Sequence, residues 1–507
     1  MLGWRDPQEK NSLAENGSDP HYKTIVFGAG LSMADIVDIT KELFAVSRIT
    51  PEMFASDEPP PRIIGVECEY SLQYHDANNR EYASLSRYID DTACRAVGLK
   101  RLNGYLDNGA RLYPDVGHVE YCTPECLGPY QAADVDLAGM ATVRDIVSAS
   151  GQFHHGIYRL SGTMLQRPEK SQAYTNGVHE NFMIPATYTN DALLSALLPV
   201  HLASRVWAMN GAVCGTRYEF SQKVQGISCT SSPITYGNER RTLEGQKPMI
   251  MIPSTQLDTG TVGAKEWSRV EVRYADPQQS PMARRLSLAS VSLVLYMVEQ
   301  QQRLAAHGYD FESLFVRHPA QAAYVFSRDL ESSATVETIG GKRVGMLDIQ
   351  EMLAERALAL GELIHLPPDE VDAAQTWLQT VDAWRRSRPA QAEYDPFLLQ
   401  TLDVAAKHHM IAQRCSTTDT AKASALSLLW DRIEEPGIGE NYWRRVQPDA
   451  YQVIDDSRSI IPSTRALARA AFIRAIPERH YGHYMHIDWV RGAYANQSMT
   501  LLDPYGD

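Results

Sequence analysis

The 507-residue sequence predicts an α+β fold in which a largely antiparallel sheet packs on helices. Three observations carry this expectation. From Arg62 to about residue 280 the chain runs in short stretches whose apolar residues recur at every second position. From Pro281 to about residue 425 the apolar spacing becomes helical, as in Leu347 to Leu363 and Ala373 to Trp384. Strand-like and helix-like segments are therefore segregated along the chain and do not alternate, which disfavours a parallel doubly wound sheet. The length exceeds one ordinary core. The expected division is an extension over 1–61, a main domain over 62–425 and a small α/β unit over 426–507.

Within the extension, Ile25-Val-Phe-Gly-Ala-Gly30 resembles the opening of a dinucleotide fingerprint. Its third glycine position holds Met33 and no strand ending in an acid follows at the right distance, so a plain strand, turn and helix is expected. The segment closes on Pro59-Pro-Pro61, a stiff spacer that cannot continue a helix.

The strands that follow carry the chemistry. In Arg62-Ile-Ile-Gly-Val-Glu-Cys-Glu-Tyr70, the residues Ile64, Val66, Cys68 and Tyr70 form an apolar face, and Glu67 and Glu69 share the opposite one. Adjacent acids repel unless a cation lies near them. Arg111, Tyr113 and Asp115 alternate in the next run, and His118 and Glu120 in the one after. In Val178-His-Glu-Asn-Phe182, either His179 and Asn181 or Val178, Glu180 and Phe182 face the same side. Arg269, Glu271 and Arg273 alternate with Val270, Val272 and Tyr274.

Five strands with one face rich in carboxylates, arginine and histidine are not a typical solvated surface. Carboxylates suit hard cations and arginines suit phosphates, so the face fits phosphoryl transfer with Mg²⁺ and ATP. A Walker loop is absent from the sequence, which excludes a P-loop enzyme. The net charge of −14 argues against nucleic-acid binding as the main role. Seven cysteines without a CxxC pair read as free thiols. The polar first residues do not form a signal peptide, and the apolar run Leu286 to Val298 is a buried helix too short to span a membrane, so a cytoplasmic location is expected. The pairs His154-His155 and His408-His409 lack zinc spacing and are expected to be hydrogen-bonded or exposed. Arg240-Arg241 and Arg284-Arg285 are expected at solvated ends of helices or loops, and Trp430 and Trp443 in the core.

Val270-Glu-Val-Arg-Tyr-Ala-Asp-Pro resembles the signature of the glutamine synthetase superfamily. Ile64-Gly-Val-Glu-Cys-Glu-Tyr70, the block from Asn108-Gly-Ala-Arg-Leu-Tyr-Pro-Asp115 to Tyr121, and His179-Glu-Asn181 resemble one branch, the Pup ligase and Pup deamidase (depupylase) family. The similarity continues through Gly340-Gly-Lys-Arg343, Pro462-Ser-Thr-Arg-Ala466, Asp488-Trp-Val490 and Leu502-Asp-Pro-Tyr505. The short interval from Tyr70 to Asn108 matches the ligases, because the hydrolase branch carries a long inserted loop there.

The resemblance implies a glutamine synthetase-like sheet cradle and an ATP- and Mg²⁺-dependent ligase that makes an amide or isopeptide bond through an acyl phosphate. It implies Glu67, Glu69, Tyr113, Glu120, His179 and Glu271 for metal, and Arg111, Thr123, Arg205 and Trp489 for ATP. Asp115 takes the place of the general base, and Arg273 contacts the phosphate or substrate. The implied partners are a carboxylate donor (a Pup-like protein, a peptide or a small amino acid) and an amine acceptor, in a monomer or dimer. A biosynthetic amide ligase or a deamidase would use the same scaffold. The family's Asn-Thr-Arg-Asp-Glu-Pro-His segment is replaced here by Met251-Ile-Pro-Ser-Thr-Gln-Leu257, so the departures fall on the donor and acceptor surfaces.

Overall fold

The computed structural model describes residues 49–73, 104–115, 118–149, 156–160, 177–221, 223–227, 229–232, 248–251, 266–416, 418–434, 437–475, 485–487, 489, 491–494, 497–500 and 505. Gly28 to Gly30, His154-His155 and Arg240-Arg241 lie outside them.

The alternating runs form one mixed, mostly antiparallel sheet. In chain order its strands are β1 (Ile63–Gln73), β2 (Gly104–Tyr105), β3 (Arg111–Asp115), β4 (His118–Cys122) and β5 (Cys126–Leu127). Helix α1 (Pro129–Ala149) follows, then β6 (Gly156–Tyr158) and β7 (Val178–Pro185). Helix α2 (Ala192–Ser204) and the hairpin β8 (Ala212–Cys214) and β9 (Arg217–Glu219) lead to β10 (Cys229–Ser232), β11 (Pro248–Met251) and β12 (Trp267–Val272). The strand order is β10-β11-β12-β7-β1-β4-β3-β2, with β5 and β6 also paired to β1; β10 and β11 run parallel.

Helices then take over. The first of them are α3 (Pro281–Glu299), α4 (Gln301–Ala306), α5 (Pro319–Arg328), α6 (Met346–Leu363) and α7 (Pro368–Arg386). They are followed by α8 (Pro396–Thr401), α9 (Asp403–Arg414), α10 (Thr420–Trp430), α11 (Ile438–Val446), α12 (Pro448–Ser457) and α13 (Arg465–Ala475). Ser280 caps α3 by accepting a hydrogen bond from the Ala283 amide, and Pro281 fills its first turn. As expected from its composition, α3 is buried along nearly its whole length and packs beneath the sheet. Among the described residues, no helix is long and apolar enough to cross a membrane.

The face of β1 built from Ile64, Val66, Cys68 and Tyr70 is sealed in the core, each at 0–1% exposure. Trp430 and Trp443 lie beyond the expected boundary at residue 425. They are fully buried in the same core, with the Trp443 indole donating to Asp403 at 2.7 Å.

Two placements differ from expectation. Residues 49–61 do not act as a free spacer. Phe54 is buried between Trp267 and Tyr296, at ring separations of 5.8 and 6.1 Å, and Tyr296 donates to the Pro60 carbonyl at 2.7 Å. Burying such a phenyl ring contributes about 1.5–3 kcal/mol, enough to tie the segment down. Arg284 is not at a solvated helix end but fully buried, bonded to Asp136 and Glu180. Its neighbour Arg285 is partly exposed and pairs with Asp134. The sequence pattern concealed the difference because the two arginines point to different sides of one helix.

Glu370, in the first turn of α7, is fully buried; Ser292 donates to one oxygen at 2.8 Å, and the other has no partner among the described residues. Burial, reinforced by neighbouring Asp369, pushes its carboxyl up to about 8. The folded chain thus keeps a proton that the unfolded chain releases near pH 4.5, so stability from this group is full below that pH and is lost as pH rises through 8. Replacing Glu370 by glutamine should remove that slope, about 1.4 kcal/mol per pH unit for one proton. Thermal melts at pH 5 and pH 8 check this: the variant should gain on the parent at the higher pH, and a constant gap would refute the prediction.

Candidate active site

Register brings the expected side chains onto the sheet face opposite the core. Glu67 of β1 lies opposite His179 of β7 and Cys122 of β4, and Glu69 lies opposite Glu120. Tyr113 of β3 lies opposite Glu120, and Glu271 of β12 opposite Asn181. Because residues two apart share a face, β7 contributes His179 and Asn181 here and turns Glu180 into the core. The alternative left open by the sequence is thereby resolved.

At the centre, His179 Nδ1 lies 3.1 Å from Glu67 Oε2 and 3.8 Å from Glu271 Oε1. Asn181 Nδ2 donates to Glu67 Oε1 at 3.2 Å. Arg269 reaches Glu271 at 3.3 Å and Glu67 at 4.0 Å, and Arg273 Nε reaches Glu271 at 3.3 Å. Burial opposes ionisation of Glu67, but the His179 hydrogen bond and charge, with Arg269 and Arg273, hold its carboxyl below the usual range. Glu69 is steadied from the side, accepting a hydrogen bond from the Gly177 amide. A Cβ on Gly177 would come within 2.7 Å of the His179 ring and 3.3 Å of the Glu69 carboxyl, so a larger residue there would displace the His179 ring.

A second group continues along β3 and β4. The Cys122 thiol lies 3.7 Å from Glu120 Oε1. Burial first, then Cys122 and the carboxylates of Glu120 and Glu67, pushes the Tyr113 phenol well above its ordinary value, and it keeps its proton in a bond to Glu120. The Arg111 guanidinium stacks over Tyr113 at 4.4 Å and over Tyr105 at 5.7 Å, and Tyr105 meets the Trp489 ring edge-on at 5.2 Å. A continuous row thus runs from the carboxylates to Trp489. Thr123 is buried and braces β1, its hydroxyl accepting from the Val66 amide at 3.0 Å. Asp115 ends β3 paired with His118; its side chain lies outside the described residues.

Arg205 does not join this face. It is fully buried on the other side of the sheet, bonded to Glu180 at 3.0 Å and to the carbonyls of Ser287 and Tyr274. The expectation that it touches ATP is corrected: the sheet separates it from the carboxylates, and its charge is engaged by Glu180. Cys122 and Gly177 are the residues sequence reasoning passed over. Cys122 stands two positions from Glu120 and could have been found by alternation, whereas nothing in the sequence marks Gly177.

The donor set fits a hard divalent cation. Four carboxylates and a phenol supply oxygen, and Asn181 Oδ1 is buried without a hydrogen-bond partner among the described residues. Glu67 and Glu271 are paired with His179 and arginines of the site, Glu69 with the Gly177 amide and Glu120 with Cys122 and Tyr113. Among the described residues no three His, Cys, Asp or Glu side chains already converge as a metal-holding group. Magnesium, which keeps waters and bridges to phosphates, needs no such group.

A model of the family described as Pup-ligase protein matches residues 62–492. The chain belongs to the Pup-ligase family. The Pup–protein ligase of Acidimicrobium ferrooxidans is 27% identical over 465 residues, covering 88% of this chain and 96% of that protein. That of Actinosynnema mirum is 26% identical over 468 residues with the same coverage. Among solved structures, the ligase PafA in complex with Pup matches with a TM-score of 0.70 at 20% identity, over 88% of this chain and 90% of the other. PafA in complex with ADP matches with a TM-score of 0.63 at 20% identity, over 80% and 87%. The Pup-ligase fold expected from the sequence is the fold observed.

Proposed function

We propose that this chain is an ATP- and Mg²⁺-dependent carboxylate–amine ligase that joins a Pup-like carboxylate donor to an amine through an acyl phosphate. The observation that carries the reading is the face on which Glu67, Glu271, His179, Arg269 and Arg273 are linked into one cluster by carboxylate contacts of 4.0 Å or less.

Glu67, Glu69, Glu120 and Glu271, with Asn181 and the neutral Tyr113 phenol, would hold the cation. Bound there with ATP, it would neutralise phosphate charge during transfer. Arg111 and Trp489 would seat the nucleotide at the β2–β3 end of the sheet, with the Thr123 segment as its floor. Arg273, 35% exposed, would orient the phosphoryl group passing from ATP to the donor carboxylate, after which ADP leaves. His179 and Arg269 would hold the Glu67 and Glu271 carboxylates in place. Asp115, at the open end of β3, would take a proton from the incoming ammonium. The amine then attacks the acyl carbon, and phosphate departs as the C–N bond forms.

Incubation of the purified chain with ATP, Mg²⁺, a peptide ending in a glutamate donor and a lysine acceptor should release ADP and phosphate in step with the new bond. Asp115→Asn should lower kcat by on the order of 10²–10⁴ with the KM for ATP little changed. Full coupling by that variant would remove Asp115 from the role. Where the family's polar segment is replaced, the Met251 sulfur receives Arg273 Nη1 at 3.0 Å, so the surface beside Arg273 differs from the family's pattern. Bond cleavage without net ATP turnover would indicate a deamidase instead.

A further inference from the structure

Arg469 of α13 is fully buried, yet its guanidinium is bonded on every side. It donates to the Gly109 carbonyl through Nε and Nη2, at 3.2 and 3.1 Å, and to the Trp489 carbonyl at 3.0 Å. It also forms a two-pronged pair with Glu125, which Arg465 joins at 2.7 Å. Its plane lies 4.7 Å from the Trp489 ring and 5.2 Å from the Tyr105 ring.

Each of these contacts lies next to an element of the nucleotide seat. Gly109 stands two residues before Arg111, Glu125 two residues after Thr123, and Trp489 is held by both ring and carbonyl. Gly109 has φ +83° and a Cβ there would press within 3.0 Å of the Ala466 carbonyl, so the turn before Arg111 is moulded against α13. Burial alone would raise the Glu125 carboxyl, but Arg469 and Arg465 hold it at about 2, so this carboxylate stays charged near neutral pH.

We infer that Arg469 is a positioning residue for the nucleotide: a latch that fixes the β2–β3 turn, the β4–β5 link and Trp489 relative to one another. The inference rests on the proposed ATP-dependent reading. A planar five-donor group is required because three acceptors lie in different directions, and a lysine ammonium cannot satisfy them in that fork geometry.

The test is R469K in the full chain, with R465K as its comparison, because Arg465 shares Glu125 but touches neither Gly109 nor Trp489 in the contacts described. Titration calorimetry with ATP·Mg²⁺ should show R469K binding about tenfold more weakly, with R465K within about threefold of the parent. In turnover assays the R469K loss should fall on the KM for ATP and leave kcat nearly unchanged. Tryptophan emission should shift in R469K and not in R465K. Equal affinity in the parent and R469K, or equal damage in both variants, would overturn the latch. Should R469K not fold, hydrogen exchange on the parent decides: ATP should slow exchange in residues 104–111 and 465–475 together, and protection of the first alone overturns the proposal. Failure of the parent to bind ATP would instead remove the underlying functional reading.

Discussion

Replacing Glu67 by glutamine should lower ATP-dependent coupling by on the order of 10²–10³ while leaving the fold intact. Glu67 is where the site's interactions converge. His179 and Asn181 hold its two oxygens from one strand, Arg269 approaches from the next, and Glu69 shares its own strand face. Glutamine keeps the shape and loses the charge, so the cradle would keep its outline and lose affinity for a divalent cation. The stability cost should be small, because losing attraction to Arg269 and His179 is offset by relieving repulsion from Glu69 and Glu271. Release of ADP measured alongside a thermal melt separates the two effects. Coupling within tenfold of the parent, in a variant that melts normally, would show that Glu67 is not a cation ligand.

The opposite pattern is expected on the other side of the sheet. Asp136 of α1 bonds Arg159 at 2.6 Å and Arg284 at 2.8 Å; Arg284 reaches Glu180 at 2.7 Å, and Glu180 bonds Arg205. All five side chains are sealed from solvent. Asp136→Ala would strand two guanidinium groups in the core, a loss on the order of 3–5 kcal/mol. Equilibrium urea denaturation should show it as a lowered midpoint. The exposed pair of Arg385 with Asp348 offers the contrast, since breaking it should cost under about 1 kcal/mol. A cost for Asp136→Ala as small as that would mean that water reaches the network.

Much of this site was legible in the sequence because strand alternation is a strict rule. Once Glu67 and Glu69 are placed on one face, the same logic gives Glu120, Tyr113, Arg269, Glu271 and Arg273. Alternation cannot say which side of a charged strand faces inward when both sides are polar. His179-Glu180-Asn181 therefore stayed ambiguous until the register against β1 was known. Arg205 and Arg284 show the limit more sharply. Arginine is rarely sealed in a core, so the family resemblance placed one in the site and the residue pattern placed the other in solvent, whereas Glu180 and Asp136 draw them into the interior. Arg469 was missed for the same reason: its acceptors are mostly backbone carbonyls, which no side-chain pattern records.

The docking of Phe54 bears on where the heritable unit of this protein starts. The region shared with its relatives begins at residue 62, yet the phenyl ring eight positions earlier closes a hole bounded by Trp267, Tyr296 and the Arg62 guanidinium, 4.9 Å away. Trp267 opens β12, the strand that carries Arg269 and Glu271 and leads directly into Arg273. Excision at the homology border would thus leave a dent behind that strand, and recombination among relatives must carry residues 49–61 along with the sheet they plug.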